Sequence, residues 1–388
     1  MTPEALTSSL PSTGFATACS VRPVQASGLW SAQTCRLKHS VKQPLAGTVA
    51  TLFICAAALG FISLFPFPVF SGWVAYLLDC IIPMQVIVGV IWAGKYPAFA
   101  ANRPQPVKGL LLLLLNLAVG AVFAVGLWQW IGHGIDPPTP ILIFYMIALV
   151  LTTFWLSIMW GGWPFAGWFK SPVAGGFAVL LATVVVTTIL FRVFFDFRFM
   201  QGAPFYRPGA DPHGLFNAWS AIVYYVTVIA AMFFIAGFDL WPLTKFPAVM
   251  RQPLLGLAWT VLSAGVAAVV FYLGIGVLKI DIANFMVTVP IPFIFGTIVV
   301  LNMLQGSLYG KLTQPAKGVA TVVTIALVGG LLAQVYGALS PMITGTLKPG
   351  LPTYDFEIWL ASALLSVTFP SLVFYAEFFK LWPLRKSE

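Results

Sequence analysis

Charged residues are scarce in this chain. Only 8% of its 388 residues are Asp, Glu, Lys or Arg, whereas 60% are hydrophobic. A soluble domain carries about 25% charged residues, so this composition excludes a water-soluble globular protein. The apolar runs 109–128 and 173–191 are each long enough to cross about 30 Å of hydrocarbon as a helix. The sequence therefore predicts an all-α, polytopic integral membrane protein.

Cysteine and histidine are also rare. The four cysteines, at positions 19, 35, 55 and 80, show no CxxC spacing, and the last two fall inside apolar runs. This pattern indicates neither a disulfide framework nor a zinc site. GxSxG, HExxH and GxxxxGK[ST] motifs are missing, and the three histidines form no pair within an apolar run. We expect no enzymatic activity and no cofactor.

The net charge of +9 is assigned to membrane-flanking loops rather than to nucleic-acid binding.

A short Pro-x-x-Gly motif recurs five times. It reads QPLAG at 43–47, QPVKG at 105–109, SPVAG at 171–175, QPLLG at 252–256 and QPAKG at 314–318. Proline is favoured in the first turn of a helix, where its missing N–H is not needed, and each motif precedes an apolar run. The spacing fits two membrane crossings per repeat. It predicts five helical hairpins, at 43–97, 105–164, 171–242, 252–310 and 314–384.

These hairpins contain ten predicted spans. They cover about 45–65, 72–93, 107–130, 140–161, 173–195, 216–239, 254–277, 284–305, 317–337 and 357–379. Fifteen Lys and Arg residues fall on the side that holds both termini, against five on the other side. This bias predicts that both termini are cytoplasmic. We expect the protein to lie in the inner membrane of a bacterium. Residues 1–42 are Ser/Thr-rich and contain no signal-type apolar run, which predicts a disordered cytoplasmic tail.

Asp79 is the sharpest candidate for a functional residue. It stands nine residues into the run 70–92, near the predicted bilayer midplane, where a carboxylate is costly and by default marks a functional site. Pro83, four residues later, is expected to loosen the backbone beside it. Thr288 and Pro292 occupy the same distances before their Gln-Pro motif, and broken helices near the midplane are common in transporters. The alternative is an Asp79 that only packs helices together.

Amides inside the spans supply further candidates. Asn116 and Asn302 fall in the third and eighth predicted helices. With Asp79 they predict a polar lumen that binds a substrate or an ion. The alternative role of each amide is to hydrogen-bond neighbouring helices.

Two loops predicted outside hold weak candidates for metal ligands, which could bind a metal jointly: His133 with Asp136, and Asp211 with His213. Because each Asp precedes a proline, helix capping is the preferred interpretation, and no metal is expected. Other charged residues are expected to pair or to reach for water locally: Arg192 with Asp196, Glu377 near Lys380, and Asp239 near Lys245.

The segments VPIPFIFGTIVVLNMLQGSLYGKLTQPAKG (289–318) and PTYDFEIWLASALLSVTFPSLVFYAEFFKLWPL (352–384) resemble uncharacterised bacterial multi-pass membrane proteins. Some of those carry an automatic label as amino acid transporters, so the resemblance implies transport. The leading hypothesis is a transporter or permease of a small polar solute such as an amino acid, coupled to protons or ions at Asp79. The rival hypothesis is a non-transporting membrane subunit that scaffolds a partner complex. The sequence leaves open a homo-oligomer or a membrane partner subunit.

Overall fold

The computed structural model describes residues 43–384, so the predicted tail, residues 1–42, lies outside the described residues. Within this range ten helices are long and apolar enough to cross a membrane. This confirms the predicted all-α, multi-pass membrane protein and its ten spans. The helices are α1 (Leu45–Ile62), α2 (Phe67–Trp92), α3 (Val107–Trp130), α4 (Pro140–Met159), α5 (Pro172–Phe194), α6 (Ala218–Gly237), α7 (Leu254–Val277), α8 (Ile282–Met303), α9 (Ala316–Ile343) and α10 (Asp355–Phe378).

The remaining elements are short. Two strands that the sequence did not predict, β1 (Phe195–Asp196) and β2 (Phe216–Asn217), pair in parallel and close the long loop between α5 and α6. The long loop also contains the 3₁₀ turn Arg198–Met200. One short α-helix and three further 3₁₀ turns lie in other connections: Ala98–Ala101, Phe165–Trp168, Leu243–Lys245 and Ser307–Tyr309.

Two predicted helix boundaries move appreciably. α2 begins at Phe67 rather than at 72 because Pro66 is extended (φ −66°, ψ 149°) and acts as the N-cap of a helix with Pro68 in its first turn. α9 continues to Ile343 rather than 337 and contains Pro341 near its end. Pro341 lies within the last turn of α9, and the helix ends two residues after it.

Five of the ten helices are not uniform α-helices. Segments of π-helix end α2 (Ile87–Trp92), α4 (Trp155–Met159), α7 (Tyr272–Val277), α8 (Ile298–Met303) and α10 (Phe374–Phe378), and further ones lie within α2 (Phe70–Val74) and α10 (Ser362–Thr368). Such segments are frequent at functional sites.

The even-numbered helices form an inner ring. Within an apolar stretch of 18 residues in each even-numbered helix, 61–83% of the stretch is buried inside the protein. The corresponding share in the odd-numbered helices is 22–44%. In the ring α2 contacts α4, α4 contacts α6, α6 contacts α8, α8 contacts α10, and α10 contacts α2. Each odd-numbered helix lies outside two adjacent members of the ring: α1 against α8 and α10, α3 against α10 and α2, α5 against α2 and α4, α7 against α4 and α6, and α9 against α6 and α8.

The Gln-Pro motifs attach the outer helices to the ring. In all four, the Gln Oε1 accepts a hydrogen bond from the glycine N–H four residues later, at 3.0–3.2 Å. Its Nε2 donates to the end of an inner helix or just beyond it, and the acceptors are Met303 O for Gln43, Phe378 O for Gln105, Met159 O for Gln252 and Asp239 Oδ2 for Gln314. We call the membrane face that carries these motifs the Gln-Pro face. The opposite face, with residues 195–217, is the long-loop face.

Candidate functional site

Asp79 lies at the middle of α2, an inner helix. It stands twelve residues after Phe67 and thirteen before Trp92, which at about 1.5 Å per residue places it roughly 18–20 Å from each end. The residue is 8% exposed, and the Ser366 side chain lies beside its carboxyl group. Ser366 belongs to the π-helical segment Ser362–Thr368 of α10. The carboxyl group is therefore held between two neighbouring helices of the inner ring.

α2 is interrupted immediately after this carboxyl group. Cys80 and Ile81 separate the helical segments Ala75–Asp79 and Ile82–Val86. Because Pro83 has no N–H, the backbone carbonyl of Asp79 lacks the donor that an unbroken helix would supply. Gly120 of α3 packs against this break, since a Cβ there would lie 2.5 Å from Ile81 Cγ2 and 3.2 Å from Ile81 Cα. The outer helix thus approaches α2 where its backbone is least regular.

No basic side chain neutralises Asp79 within residues 43–384. An ionised carboxylate in hydrocarbon costs several kcal/mol, so a proton, water or a mobile cation must compensate it. The ion pairs of Lys and Arg in the described part of the chain involve other groups: Asp196–Arg198, Asp239–Lys317 and Glu377–Lys380.

Two buried amides lie on α2 and on the outer helix α3, which packs against the break in α2. Asn116 of α3 is fully buried one turn before Gly120, and neither of its amide atoms has a partner in the described part of the chain. Gln85 of α2 is also fully buried; its Nε2 donates to Pro370 O at 2.7 Å, and its Oε1 has no partner in that same range. Each unsatisfied buried group costs about 1–3 kcal/mol. Gln85 was not among the residues predicted from the sequence, although an amide six residues after Asp79 in the same span was a visible signal.

The corresponding region of α8 does not join Asp79. α8 is broken at Val289, and Pro292 is buried three residues later, with its carbonyl where a Cβ on Gly329 of α9 would lie. Thr288 is exposed on the outside of the protein, and its hydroxyl donates to Asn284 O at 2.7 Å. Both helices therefore break where the spacing suggested, but Thr288 does not contribute to a shared polar site.

Asn302 belongs to a second buried polar cluster, near the Gln-Pro face. Its Nδ2 donates to Glu377 Oε1 at 3.1 Å, and Lys380 Nζ donates to Glu377 Oε2 at 2.8 Å. Glu377 is 5% exposed, so the expectation that it reaches water was wrong: hydrogen bonds hold it inside. Desolvation by itself would lower the pKa of Lys380, but Glu377 and Tyr96 together outweigh this and the pKa is raised. Eleven residues of α10, about 16 Å, separate this cluster from Ser366.

Asp239 is also paired with a different residue from the one expected. It accepts hydrogen bonds from Lys317 Nζ at 2.6 Å and from Gln314 Nε2 at 2.9 Å. Lys245 instead lies 5.3 Å from the centre of the Trp241 ring. The salt bridge joins the end of α6 to the start of α9 and supplements the Gln-Pro contact there.

The four weak metal candidates on the long-loop face do not form one site. His133 Nε2 lies 3.9 Å from Asp211 Oδ1. Asp136, however, accepts a hydrogen bond from Trp73 Nε1 at 2.8 Å, and His213 is hydrogen-bonded to the Tyr206 hydroxyl at 2.6 Å. No group of three His, Cys, Asp or Glu side chains that could hold a metal ion occurs among the residues described.

Asp136 and Asp211 do not cap helices either. The N-cap of α4 is Thr139, whose side chain accepts from the Leu142 N–H at 3.3 Å. Asp211 accepts from the Arg207 N–H at 2.6 Å and closes a turn within its own loop. The Asp-Pro pairs were misleading because α4 begins at a second proline, Pro140, and α6 begins only after Asn217.

The expected pair of Arg192 and Asp196 is replaced by another. Asp196 pairs with Arg198 at 2.7 Å, and hydrogen bonds from Arg198 hold the pKa of Asp196 below its ordinary value. The helical geometry assumed for the original pair fails because α5 ends at Phe194 and Asp196 lies in β1. Arg192 has no ion pair with another described residue.

Comparison with known proteins gives no family for this chain: no protein-family model, no curated protein and no solved structure matches it.

Proposed function

We propose that this protein transports a small polar solute across the membrane and couples that movement to a proton or cation at Asp79. The observation that carries the proposal is the position of this carboxyl group. It is buried at the centre of an inner helix, beside a backbone break, and has no cationic partner in the described part of the chain. Intramembrane carboxylates with these properties mark ion pathways and proton relays. Amino acids fit the solute class that the sequence resemblance implies.

The Asp79–Ser366 pair provides a two-state element for such coupling. With the carboxylate ionised, the Ser366 hydroxyl can donate to it. When Asp79 takes up a proton, its carboxyl group becomes a donor, and Ser366 must turn to accept. The surrounding backbone is irregular on both helices, so a local rearrangement there disturbs fewer helical hydrogen bonds. Protonation of Asp79 is thereby linked to the contact between α2 and α10.

We further propose that the chain consists of five copies of one hairpin, each placing its second helix in the inner ring. The alternating burial, the closed ring of contacts and the identical bonding of four glutamines support this. Ser171 is the exception; its side chain accepts from the Ala174 N–H. The excess of Lys and Arg on the Gln-Pro face supports cytoplasmic termini, and hence a bacterial inner-membrane orientation.

Reconstitution tests this proposal directly. Purified protein in vesicles, with a pH-sensitive dye inside, should acidify or alkalinise the lumen when a transported amino acid is added outside. Empty vesicles should not respond. A protein that moves neither amino acids nor protons, and that co-purifies with a stoichiometric partner in mild detergent, would instead support the scaffold hypothesis.

A further inference from the structure

A cavity of about 200 Å³ opens on the long-loop face, and Asp79 is not among its lining residues. It lies between the end of α3, the start of α4, the last turns of α5 and the long loop. A cavity of about 150 Å³ holds a benzene molecule, so this one has room for a solute of roughly six to ten non-hydrogen atoms. The lining residues that matter for its chemistry are three aromatic and three charged or titratable ones: Trp130, Tyr145, Phe191, His133, Arg192 and Asp211.

One of the lining side chains, Asp211, can accept a hydrogen bond. The Asp211 side chain is 3% exposed. Its Oδ2 is occupied by the Arg207 N–H, whereas its Oδ1 lies 3.9 Å from His133 Nε2, too far for a hydrogen bond. A nearly buried carboxylate oxygen is thus left with free capacity to accept, within the described part of the chain. It fits a cationic donor.

A second lining side chain, Arg192, can donate hydrogen bonds. Arg192 lies in the last turn of α5 and lines the cavity. The nearby carboxylate that could have paired with it, Asp196, is held by Arg198 instead. A guanidinium group offers a planar fork of donors that matches a carboxylate. Arg192 is therefore suited to an anionic group of a solute.

Three aromatic rings also line the cavity and form what we call its aromatic wall. The Trp130 and Tyr145 rings are 6.3 Å apart, and the Tyr145 and Phe191 rings are 5.2 Å apart, both edge to face. The Tyr145 hydroxyl is already hydrogen-bonded to Thr188 at 2.9 Å, so the wall offers ring surface rather than a hydroxyl. Ring faces attract ammonium groups and cover apolar atoms.

We propose that this cavity binds a small zwitterion, with its carboxylate on Arg192 and its ammonium group on Asp211 against the aromatic wall. An α-amino acid with a short side chain has this chemistry and this size. A simple anion fits less well because Asp211 would repel it. A metal ion would find two adjacent ligands, His133 and Asp211, among the described residues. Binding at this cavity does not depend on the proposed role of Asp79.

The test is equilibrium binding to the full chain in lipid nanodiscs, measured by calorimetry with glycine, L-alanine and L-serine. At least one should bind, while propionate and isopropylamine, which each keep only one charge, should bind at least tenfold more weakly. Arg192→Gln and Asp211→Asn should each weaken binding about ten- to a hundredfold, the loss expected for a charge-assisted hydrogen bond. Lys348→Gln and Asp355→Asn, on the same face but outside the cavity, should bind normally.

Asp79→Asn should also bind normally, which separates this site from the transport proposal. If Asp211→Asn does not fold, Arg192→Gln alone still decides, since Arg192 is exposed and has no ion pair to lose among the described residues. The proposal is overturned if none of the three amino acids binds, if propionate binds as tightly as L-alanine, or if Arg192→Gln leaves amino acid affinity unchanged. Binding of Zn²⁺ that is lost in Asp211→Asn, without amino acid binding, would assign the cavity to a metal instead.

Discussion

The Ser366 side chain of α10 lies beside the carboxyl group of Asp79 on α2, where two neighbouring inner helices meet near the middle of the protein. Hydrogen bonds to charged groups contribute about 1.5–3 kcal/mol. We expect Ser366→Ala to lower solute uptake about tenfold, while Ser366→Thr, which keeps the hydroxyl, retains most of it. Ser371→Ala is the matched control, because Ser371 donates to Val367 O on the same helix. Equal uptake by the Ser366→Ala and Ser371→Ala variants would exclude this contact from the mechanism.

Adjacent glycines on α9 test the close approach between α8 and α9. A Cβ on Gly329 would collide with the backbone carbonyl of Pro292, whereas a Cβ on Gly330 meets nothing within 4 Å. Because backbone cannot move aside as a side chain can, Gly329→Ala should lower stability by about 1–3 kcal/mol. Gly330→Ala should be neutral or slightly stabilising, since alanine favours the helix. Thermal unfolding in detergent measures both, and equal melting temperatures would contradict the packing described.

The ion pair between the buried Glu377 and the exposed Lys380 predicts a coupling in a double-mutant cycle. Lys380→Gln leaves the nearly buried Glu377 with Asn302 as its remaining hydrogen-bond donor in the described range, so it should lower stability by about 1–3 kcal/mol. Adding Glu377→Gln removes the uncompensated charge and should restore part of that loss. Thermal unfolding of the two single variants and the double variant tests this. Losses that simply add, within about 0.5 kcal/mol, would show that the pair is not coupled.

Reporter insertion tests the proposed orientation. Gly202 and Gly209 lie in the long loop, with open space around each, so a small tag should be tolerated at either position. A tag there should be accessible from outside the cell, and a tag at the C-terminus should be accessible only after the membrane is opened. Accessibility on the same side for both tags would overturn the five-hairpin arrangement.

The number of spans could be read from the sequence because it depends on local properties. Apolar length and the Pro-x-x-Gly motifs mark each helix without knowledge of its neighbours. The partners could not be read in the same way. Spacing gives the height of Thr288 along α8 but not its rotation, and the side chain lies on the outer surface. The proximity of His133 to Asp211 joins two loops far apart in sequence, so only the packed structure brings them together.

Asp79 could be found from the sequence because an ionised carboxylate in hydrocarbon is energetically costly. A carboxylate in the middle of an apolar run therefore stands out in any such sequence. Ser366 did not stand out, because serine is common in membrane helices and only the contact with α2 distinguishes it. Gln43, Gln105, Gln252 and Gln314 were seen as parts of a motif, but their bridging role became visible only with the inner helix ends beside them.

Gradient-driven uptake by Asp79→Asn in vesicles tests whether this carboxyl group couples transport to protons. Asparagine keeps the shape and a hydrogen-bonding group but cannot titrate. We predict a folded, normally inserted protein whose uptake no longer responds to an imposed pH gradient, with a melting temperature close to that of the unaltered protein. Asp79→Leu should additionally lower the melting temperature, because Ser366 loses its partner. Uptake by Asp79→Asn that is driven by the pH gradient as in the unaltered protein would contradict the claim and remove this carboxyl group from the mechanism.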